Sequence, residues 1–372
     1  MPVKCREIMA AVERLAPREL AAGWDNVGLL VGSPEQEVAS LLVALDVTPE
    51  VAERAAAGGV DLIVAHHPLI FKSLSAVRTD TPLGRTLATL LAAGVAVYAA
   101  HTNLDAADGG VNDALAGLLG LGDLRPLAVE GRERLLKLAV FVPEEYTERV
   151  RAAITAAGAG HIGNYSHCTF QTIGTGTFLP LDGAKPFLGK QGKLEYVAEH
   201  RLETVMPEGV AAKAVAAMLA AHPYEEVAYD LYALNNPGRP YGLGRVGRLA
   251  TPEPFADFVR RLKDALGPTE VRVAGPTDRQ VSKVAVCGGS GAGFLAAAIG
   301  AGADVLVTGD VKYHEALDAA AAGLTLVDAG HFATERPVVG AVAGYLEACA
   351  AHSGWDIVIR TEDVSRDVFR VW

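Results

Sequence analysis

Two adjacent histidines end a short apolar segment of this 372-residue sequence. Residues 62–65 (LIVA) are uniformly apolar, which is typical of a strand covered on both faces in a parallel sheet. His66, His67 and Pro68 follow directly, and ligands of such sheets bind beyond the carboxyl ends of the strands. Neighbouring side chains on a strand point in opposite directions. The two imidazoles therefore suit two metal ions, or one ion and an outer partner, better than one shared ion. A pair of histidines that only caps a strand is the alternative when this motif is taken alone.

The later part of the chain repeats this arrangement. Two six-residue segments share a pattern of glycine, acid and aliphatic residues: 59–64 (GVDLIV) and 302–307 (GADVLV). One strand further on, His101 is followed four residues later by Asp105, and His331 by Glu335. Such an ordered echo predicts two related α/β halves, and halves that face each other would bring these strand ends into one cleft.

These strand ends predict a divalent metal site. The candidate ligands are the histidines and carboxylates of both halves: His66, His67, Asp105, His331 and Glu335. Nitrogen and oxygen ligands of this kind suit Zn, Fe, Mn or Ni, and no thiolate narrows the choice. Two carboxylates that each contact two ions hold them ~3.5–4 Å apart, as in two-metal hydrolases. We therefore expect two divalent ions per chain, with His101 close to the site.

Each candidate also has a simpler interpretation when taken alone. Thr334 is expected to cap a helix that begins with Glu335, where the helix dipole favours a carboxylate. His331 alone could be an ordinary loop histidine, and Asp105 an ordinary acid in a turn. The position of all five candidates at strand ends favours the metal site over these separate explanations.

Two further features of the second half are open to alternative interpretations. Asp310 and His314 follow its middle strand, at the place that His66 and His67 occupy in the first half. Together with His101, they are either outer groups that orient ligands or contact substrate, or residues at an exposed strand end. The glycine-rich segment 288–293 could hold a phosphate with its backbone amides, although a tight turn is favoured.

The chain alternates strands and helices at both ends, which predicts parallel sheets with crossover helices. The pattern changes near Pro126 and returns after a linker at residues 235–238. Between them, a strand followed by Pro-Glu and a helix occurs twice, at Val142 and at Met206, which suggests a ferredoxin-like α+β domain. We predict two pseudo-symmetric α/β halves that form one core, residues 1–127 and 237–372, with an inserted domain at 128–236.

Composition restricts the location and the partners. The net charge of −11 argues against a nucleic-acid footprint along the whole chain, although it leaves a local basic groove open. The four cysteines lie far apart, which fits a reducing compartment and argues against a cysteine-based zinc site. No signal-peptide pattern and no apolar run of ~18 residues is present. We expect a cytoplasmic protein that does not span a membrane.

These motifs resemble the NGG-interacting-factor-three-like family, whose members are often named GTP cyclohydrolase I type 2 homologs. The resemblance covers both outer segments and rests on residues 24–29 (WDNVGL), 66–68 (HHP), 101–105 (HTNLD), 309–310 with His314, and 330–335 (GHFATE). It implies a dinuclear metal centre on His66, His67, Asp105, His331 and Glu335, and a toroidal homohexamer. Residues 222–230 (HPYEEVAYD) resemble the PII-like or CutA-like insert of the longer members.

Two functions are compatible with this sequence. The first is a metal-dependent hydrolase, in which two ions activate water toward a ring carbon or a phosphoryl group. The resemblance implies GTP as substrate, and hence a nucleotide or phosphate-containing ligand, although no guanine pocket is evident. The second is a non-catalytic metal-loaded regulatory or scaffold ring protein, which the PII-like insert favours.

Overall fold

The chain folds into two compact units in the computed structural model, which describes residues 3–267 and 270–370. The core is formed by both ends of the chain, up to Glu130 and from Tyr241 onward. The insert is Gly131–Pro240. The strands, in chain order, are β1 (Val3–Lys4), β2 (Gly28–Val31), β3 (Glu37–Val38), β4 (Ser40–Ala44), β5 (Leu62–Ala65), β6 (Ala96–Ala99), β7 (Leu121–Arg132), β8 (Leu135–Pro143), β9 (Thr169–Phe178), β10 (Glu195–Pro207), β11 (Tyr229–Leu234), β12 (Pro240–Pro254), β13 (Arg272–Ala274), β14 (Gln280–Val286), β15 (Val305–Thr308), β16 (Thr325–Asp328) and β17 (Val358–Thr361).

The helices connect and cover these strands. In chain order they are α1 (Cys5–Leu15), α2 (Pro49–Ala57), α3 (Pro82–Ala93), α4 (Thr102–Ala106), α5 (Val111–Leu118), α6 (Thr147–Ala156), α7 (Ala211–Ala221), α8 (Phe255–Leu266), α9 (Leu295–Gly300), α10 (Tyr313–Ala321), α11 (His331–Glu335) and α12 (Pro337–Ser353). Of these elements, β8–β11, α6 and α7 belong to the insert. Within residues 3–267 and 270–370, no helix has both the length and the hydropathy that a membrane span requires.

The core contains two large sheets of similar topology. The first has the order β17-β4-β5-β6-β2, and the second has the order β13-β16-β15-β14-β12-β7. Each sheet contains a parallel trio, β4-β5-β6 in the first and β14-β15-β16 in the second. An antiparallel strand pairs with the last strand of each trio: β2 with β6, and β13 with β16. This shared arrangement confirms the prediction of two related α/β halves.

The middle strand of each trio is fully buried, as its uniform apolar sequence predicts. All residues of β5 and of β15 are buried. In β5, Leu62 and Val64 pack into one hydrophobic cluster, whereas Ile63 and Ala65 pack into another. Side chains therefore alternate between two covered faces of the sheet, and the strand can present polar groups only at its end.

The insert has the strand order β11-β8-β10-β9, and all its strand pairs are antiparallel. The chain order is strand, helix, strand, strand, helix, strand, which confirms the expected ferredoxin-like domain. Its core contains Val140 and Leu202 from the sheet, Ile154 from α6 and Met218 from α7. The two helices therefore cover one face of this sheet.

The insert begins and ends slightly later in the chain than the predicted segment 128–236. Pro126 does not mark a boundary, because it lies within β7, which continues to Arg132. A proline lacks the amide hydrogen that a central strand requires, but an edge strand tolerates it, and β7 is at the edge of its sheet.

Candidate metal centre

The structure brings the predicted ligands of both halves together at the carboxyl ends of their sheets. His66 and His67 follow β5 directly, and His101 lies two residues after β6. His331 and Glu335 are the first and last residues of α11, and Asp105 lies on the equally short helix α4. Residues four apart lie on one face of a helix, so His331 and Glu335 present their side chains to the same point, whereas His101 precedes α4 in a non-helical conformation.

The expected role of Thr334 as the N-cap of a helix starting at Glu335 is wrong. Thr334 lies inside α11, and its hydroxyl oxygen accepts a hydrogen bond from the backbone N of Gly289 at 3.0 Å. The proline that suggests a helix start belongs to the next helix, α12, which begins at Pro337. Helix α11 is only one turn long, so its boundaries depend on these tertiary contacts more than on local sequence signals.

Glu335 is at the centre of the cluster. Its Oε2 lies 3.0 Å from Nε2 of His67 and 3.0 Å from Nε2 of His331, and those two nitrogens are 3.4 Å apart. Its Oε1 lies 3.8 Å from Nε2 of His66, which is itself 3.6 Å from Oδ1 of Asp105. Glu335 therefore has imidazoles beside each of its two carboxylate oxygens.

Three buried polar atoms of this cluster lack a hydrogen-bond partner within the described residues: His66 Nε2, Asp105 Oδ1 and Glu335 Oε2. Buried polar atoms are almost always paired, because an unpaired one costs roughly 1–3 kcal/mol. Nitrogen and oxygen atoms at ion-pair distance but without hydrogen-bond alignment fit a cation between them. The donor set is therefore suited to a divalent metal ion.

The other ring nitrogen of each histidine is held by a protein oxygen. Nδ1 donates to Asp46 Oδ1 in His67 (2.8 Å), to Asp25 Oδ1 in His101 (2.9 Å) and to Asp310 Oδ2 in His331 (2.7 Å). In His66, Nδ1 donates to the carbonyl of Ala100 (3.0 Å). Because Nδ1 carries the proton in this tautomer, Nε2 presents a lone pair toward the cluster, as in histidine ligands supported by carboxylates.

Three overlapping groups have ligand atoms close enough to hold an ion: His67, His331 and Glu335; His66, Asp105 and Glu335; and His66, His67 and His101. Glu335 belongs to the first two groups, whereas Asp105 belongs to one. Glu335, His66 and His67 each belong to two groups, and the two groups that contain a carboxylate share Glu335 and divide His66 from His67.

The charges of the cluster are strongly coupled in the metal-free chain. Burial disfavours the charged form of Glu335, but the imidazoles of His331, His66 and His67 outweigh this and hold its pKa well below the usual range. Burial also disfavours charge on His67, yet Asp46 and Glu335 raise its pKa to about 10. The Glu335 carboxylate, 3.0 Å from Nε2, is the largest cause that raises the pKa of His331 to about 9. Protons and metal ions therefore compete for the same nitrogens.

The pKa values of Asp105 and His101 shift in the opposite direction to those of the other carboxylate and imidazoles described above. Burial raises the pKa of Asp105 to about 7, and this exceeds the lowering by His66. Burial and then the charge of His66 lower the pKa of His101, despite its hydrogen bond to Asp25. His101 is thus unprotonated near neutral pH and can accept a proton.

The glycine-rich turn beside the cluster supports Glu335 instead of binding phosphate. A Cβ atom at Gly289 would overlap with Glu335 Oε1, and its φ of +64° is unfavourable for other residues. The amides of Gly288, Gly289 and Gly291 donate to the side chains of Asn112, Thr334 and Thr308, respectively. The turn therefore makes room for the carboxylate, and three of its amides are already used.

The three residues predicted to orient ligands or contact substrate lie in different places relative to the cluster. His101 lies against the imidazoles, with its ring centroid 5.2 Å from that of His66. Asp310 orients His331, and it does so from a left-handed backbone conformation with φ of +54°. His314 is exposed on α10 and stacks edge-on with Tyr313, so the structure does not bring it into the cluster.

Sequence reasoning assigned no role to several residues of this site. Asp46 lies two residues after β4 and faces His67, so its place near a strand end was a usable signal. Asp25 orients His101 and also accepts a hydrogen bond from the backbone N of Thr102 at 3.0 Å. Trp24 is 65% exposed and forms an edge-to-face pair with Phe71, and both rings lie within 6.4 Å of the His101 ring. No sequence periodicity relates these loop residues.

The fold and the site define an α/β protein with a histidine and carboxylate cluster of the kind that holds divalent metal ions. The chain belongs to the Duf34/NIF3 (NGG1p interacting factor 3) family, whose model matches residues 3–367. This finding confirms the resemblance seen in the sequence motifs.

Curated relatives and solved structures match over most of their length. The GTP cyclohydrolase 1 type 2 homolog of Halalkalibacterium halodurans is 46% identical over 362 residues, which cover 97% of each chain. The protein of the same name from Bacillus subtilis is 49% identical over 331 residues, 89% of each chain. The crystal structure of a Bacillus cereus protein related to NIF3 aligns with a TM-score of 0.93 at 42% identity and covers 100% of each chain.

Proposed function

We propose that the core binds two divalent metal ions per chain, on His67, His331 and Glu335 and on His66, Asp105 and Glu335. The observation that carries this proposal is the set of unpaired buried atoms, His66 Nε2, Asp105 Oδ1 and Glu335 Oε2. The close approach of His67 Nε2, His331 Nε2 and Glu335 Oε2, all within 3.4 Å, adds to it. Three atoms that present lone pairs repel each other unless a proton or a metal ion lies between them, and a divalent ion can contact all three at once. The ligand types are compatible with Zn, Fe, Mn or Ni.

We further propose that the centre is hydrolytic. When bound, a pair of such ions lowers the pKa of water and polarises a ring carbon or a phosphoryl group. His101 is unprotonated near neutral pH and touches the imidazoles of both metal groups, which suits it to accept a proton from the attacking water. Asp25 holds the His101 ring in the required tautomer.

A nucleotide is the substrate class that we favour. Trp24 and Phe71 offer exposed aromatic rings next to His101, and a planar base can stack on such rings. The relatives are named GTP cyclohydrolase 1 type 2 homologs, which agrees with a purine nucleotide.

The test is turnover of GTP, other nucleotides and simple phosphoesters by metal-reconstituted protein. We expect activity that His101→Gln reduces by about 10²–10⁴-fold while both ions remain bound. Trp24→Ala is expected to raise KM more than it lowers kcat. His314→Gln is a matched control, because His314 is exposed and outside the cluster. Metal-loaded wild type that turns over none of these compounds would contradict the hydrolytic proposal and leave metal binding intact.

A non-catalytic regulatory or scaffold ring is the second candidate. The specific observation in its favour is the insert, a separate compact unit with a ferredoxin-like topology, which we propose to be PII-like. The family resemblance also leads us to propose a homohexamer. Light scattering should then give six times the 38.8 kDa of one chain. A monomer or dimer at micromolar concentration would contradict the ring.

A further inference from the structure

The insert contains a cavity of about 730 Å³, a size typical of small-molecule sites. Phe141, Glu199 and Arg201 line it from β8 and β10. Their strand neighbours, Val142 and Leu202, pack instead in the cluster with α6 and α7. Because side chains alternate along a strand, the cavity is on the face of the sheet that the helices leave uncovered.

Aromatic rings form one wall of this cavity. The rings of Phe178 and Tyr224 have centroids 6.0 Å apart at an interplanar angle of 62°, and those of Phe187 and Tyr224 are 6.3 Å apart at 46°. All three rings line the cavity and together form an aromatic cage. Such a cage attracts a cation that lies within about 6 Å of the rings.

A buried carboxylate lies beside this aromatic cage. Glu199 is only 8% exposed, and its Oε1 accepts a hydrogen bond from the Tyr224 hydroxyl at 2.9 Å. Its Oε2 accepts no hydrogen bond from any described residue. Gly176 leaves the space for this oxygen, since a Cβ atom there would overlap with it. A buried charge is costly unless it is paired, so the free oxygen is suited to a cationic partner.

The rest of the cavity wall is also negatively charged, like Glu199. Glu225 and Glu226 also line the cavity, whereas Arg201 is its only basic lining residue among those described. The guanidinium of Arg201 lies beside another carboxylate and an aromatic ring, with Nε 2.9 Å from Oε1 of Glu203 and Cζ 5.8 Å from the centroid of Phe141. The lining therefore keeps an excess of negative charge.

The cage is fixed by hydrogen bonds that need no ligand. The backbone N of Tyr224 donates to Nδ1 of His222 at 3.1 Å, and Nε2 of His222 donates to the carbonyl of Phe141 at 2.9 Å. The imidazole thus ties the Tyr224 loop to β8. A site that is ordered before binding loses less entropy when it binds.

We propose that this cavity binds an organic cation, with its ammonium group between Glu199 and the rings of Phe178, Phe187 and Tyr224. Apolar lining residues such as Leu179 and Leu188 then cover the carbon skeleton of the ligand. The proposal is independent of the metal centre, because every residue that it uses belongs to the insert.

The test is calorimetric titration of the full-length protein with choline and with its neutral isostere, 3,3-dimethylbutan-1-ol. The account predicts that choline binds at least about tenfold more tightly than the alcohol. Glu199→Gln keeps the acceptor for Tyr224 but removes the charge, and it should weaken choline binding by about tenfold or more. Gly176→Ala should weaken it as well, by displacing the carboxylate.

Glu145→Gln is the matched control, because Glu145 is exposed and does not line the cavity. It should bind choline like the wild type. The wild-type comparison of cation and isostere does not depend on the folding of any variant. Equal affinity for both compounds, or no choline binding up to about 10 mM, would overturn the proposal. It is also overturned if choline does not bind and Tyr224→Leu lowers the mass in sedimentation, since the face is then covered by a second copy of the chain.

Discussion

The two halves of the core have related sheets but contribute different groups to the cluster. In the first half, the middle strand β5 ends in His66 and His67. In the second half, the equivalent strand β15 is followed by Gly309 and Asp310, and Asp310 acts only through His331. At the third strand, both halves keep a histidine and an acid four residues apart, and the second-half acid, Glu335, takes the shared position.

This difference shows how a duplicated scaffold can build an asymmetric centre. In each half, the parallel trio places its strand ends at the carboxyl edge of the sheet. The residue types at those ends then decide which half supplies the imidazoles. Asn112 joins the halves, because its Nδ2 donates to the carbonyl of Asp105 and its Oδ1 accepts from the backbone N of Gly288, both at 2.9 Å. In the proposed centre, the first half mainly supplies nitrogen ligands, and the second half supplies the carboxylate that both ions share.

The largest effect is expected from removing the shared ligand. Glu335→Ala should lose both ions, because Glu335 belongs to both metal groups. Bound ions stabilise the native state by about 2.7 kcal/mol each at 100 times Kd, so the rise in Tm on metal addition should disappear. Differential scanning fluorimetry with and without metal measures this. Glu347→Ala is the control, because Glu347 is exposed on α12, and it should keep the full rise. A Glu335→Ala protein that keeps two ions would show that the carboxylate is not shared.

Ligand variants within one half should remove one ion each. We expect His66→Ala to lose the ion on His66, Asp105 and Glu335, and His67→Ala to lose the ion on His67, His331 and Glu335. Their anomalous scattering maps should therefore show complementary single peaks. If either variant loses both ions with its fold intact, the division between the two groups is wrong.

The carboxylates behind the histidines should have smaller effects. Asp46→Asn and Asp310→Asn keep an oxygen near Nδ1 of His67 and His331 but remove its charge. Loss of such outer partners typically costs about 10–100-fold in metal affinity. Competition with a chromophoric chelator measures the metal affinity. The control variant His314→Gln should bind metal with the affinity of the wild type. Unchanged affinity in both aspartate variants would show that the ring orientation is set without these charges.

A pH series should give the smallest and most gradual effect. Without metal, the pKa of His67 is raised to about 10 and that of His331 to about 9, so these imidazoles stabilise the apo protein below the unfolded pKa of ~6.5. That contribution is lost as pH rises through about 9–10. Metal must displace the same protons, so the difference in Tm between loaded and apo protein should widen from pH 6 to pH 9 and close on acidification. A difference that grows as pH falls would argue against histidine ligation.

Much of the centre could be predicted because strand ends are visible in the sequence. Buried strands have uniform apolar runs, so the residues after them could be placed at the carboxyl ends of the sheets: His66, His67, His101 and His331. The roles of Asp25, Trp24 and Phe71 could not be predicted, because these loop residues contact His101 only through tertiary packing. The insert starts at Gly131 instead of residue 128, because β7 continues past Pro126, and only the sheet order shows that β7 is an edge strand that tolerates a proline.

The most direct test of the central claim is the metal content of wild-type protein after reconstitution with a divalent metal and removal of excess. Elemental analysis against protein concentration should give two ions per chain, because Glu335 joins two groups of ligand atoms. Both ions should be released by a chelator, with a fall in Tm. One ion or fewer per chain after full reconstitution would contradict a dinuclear centre.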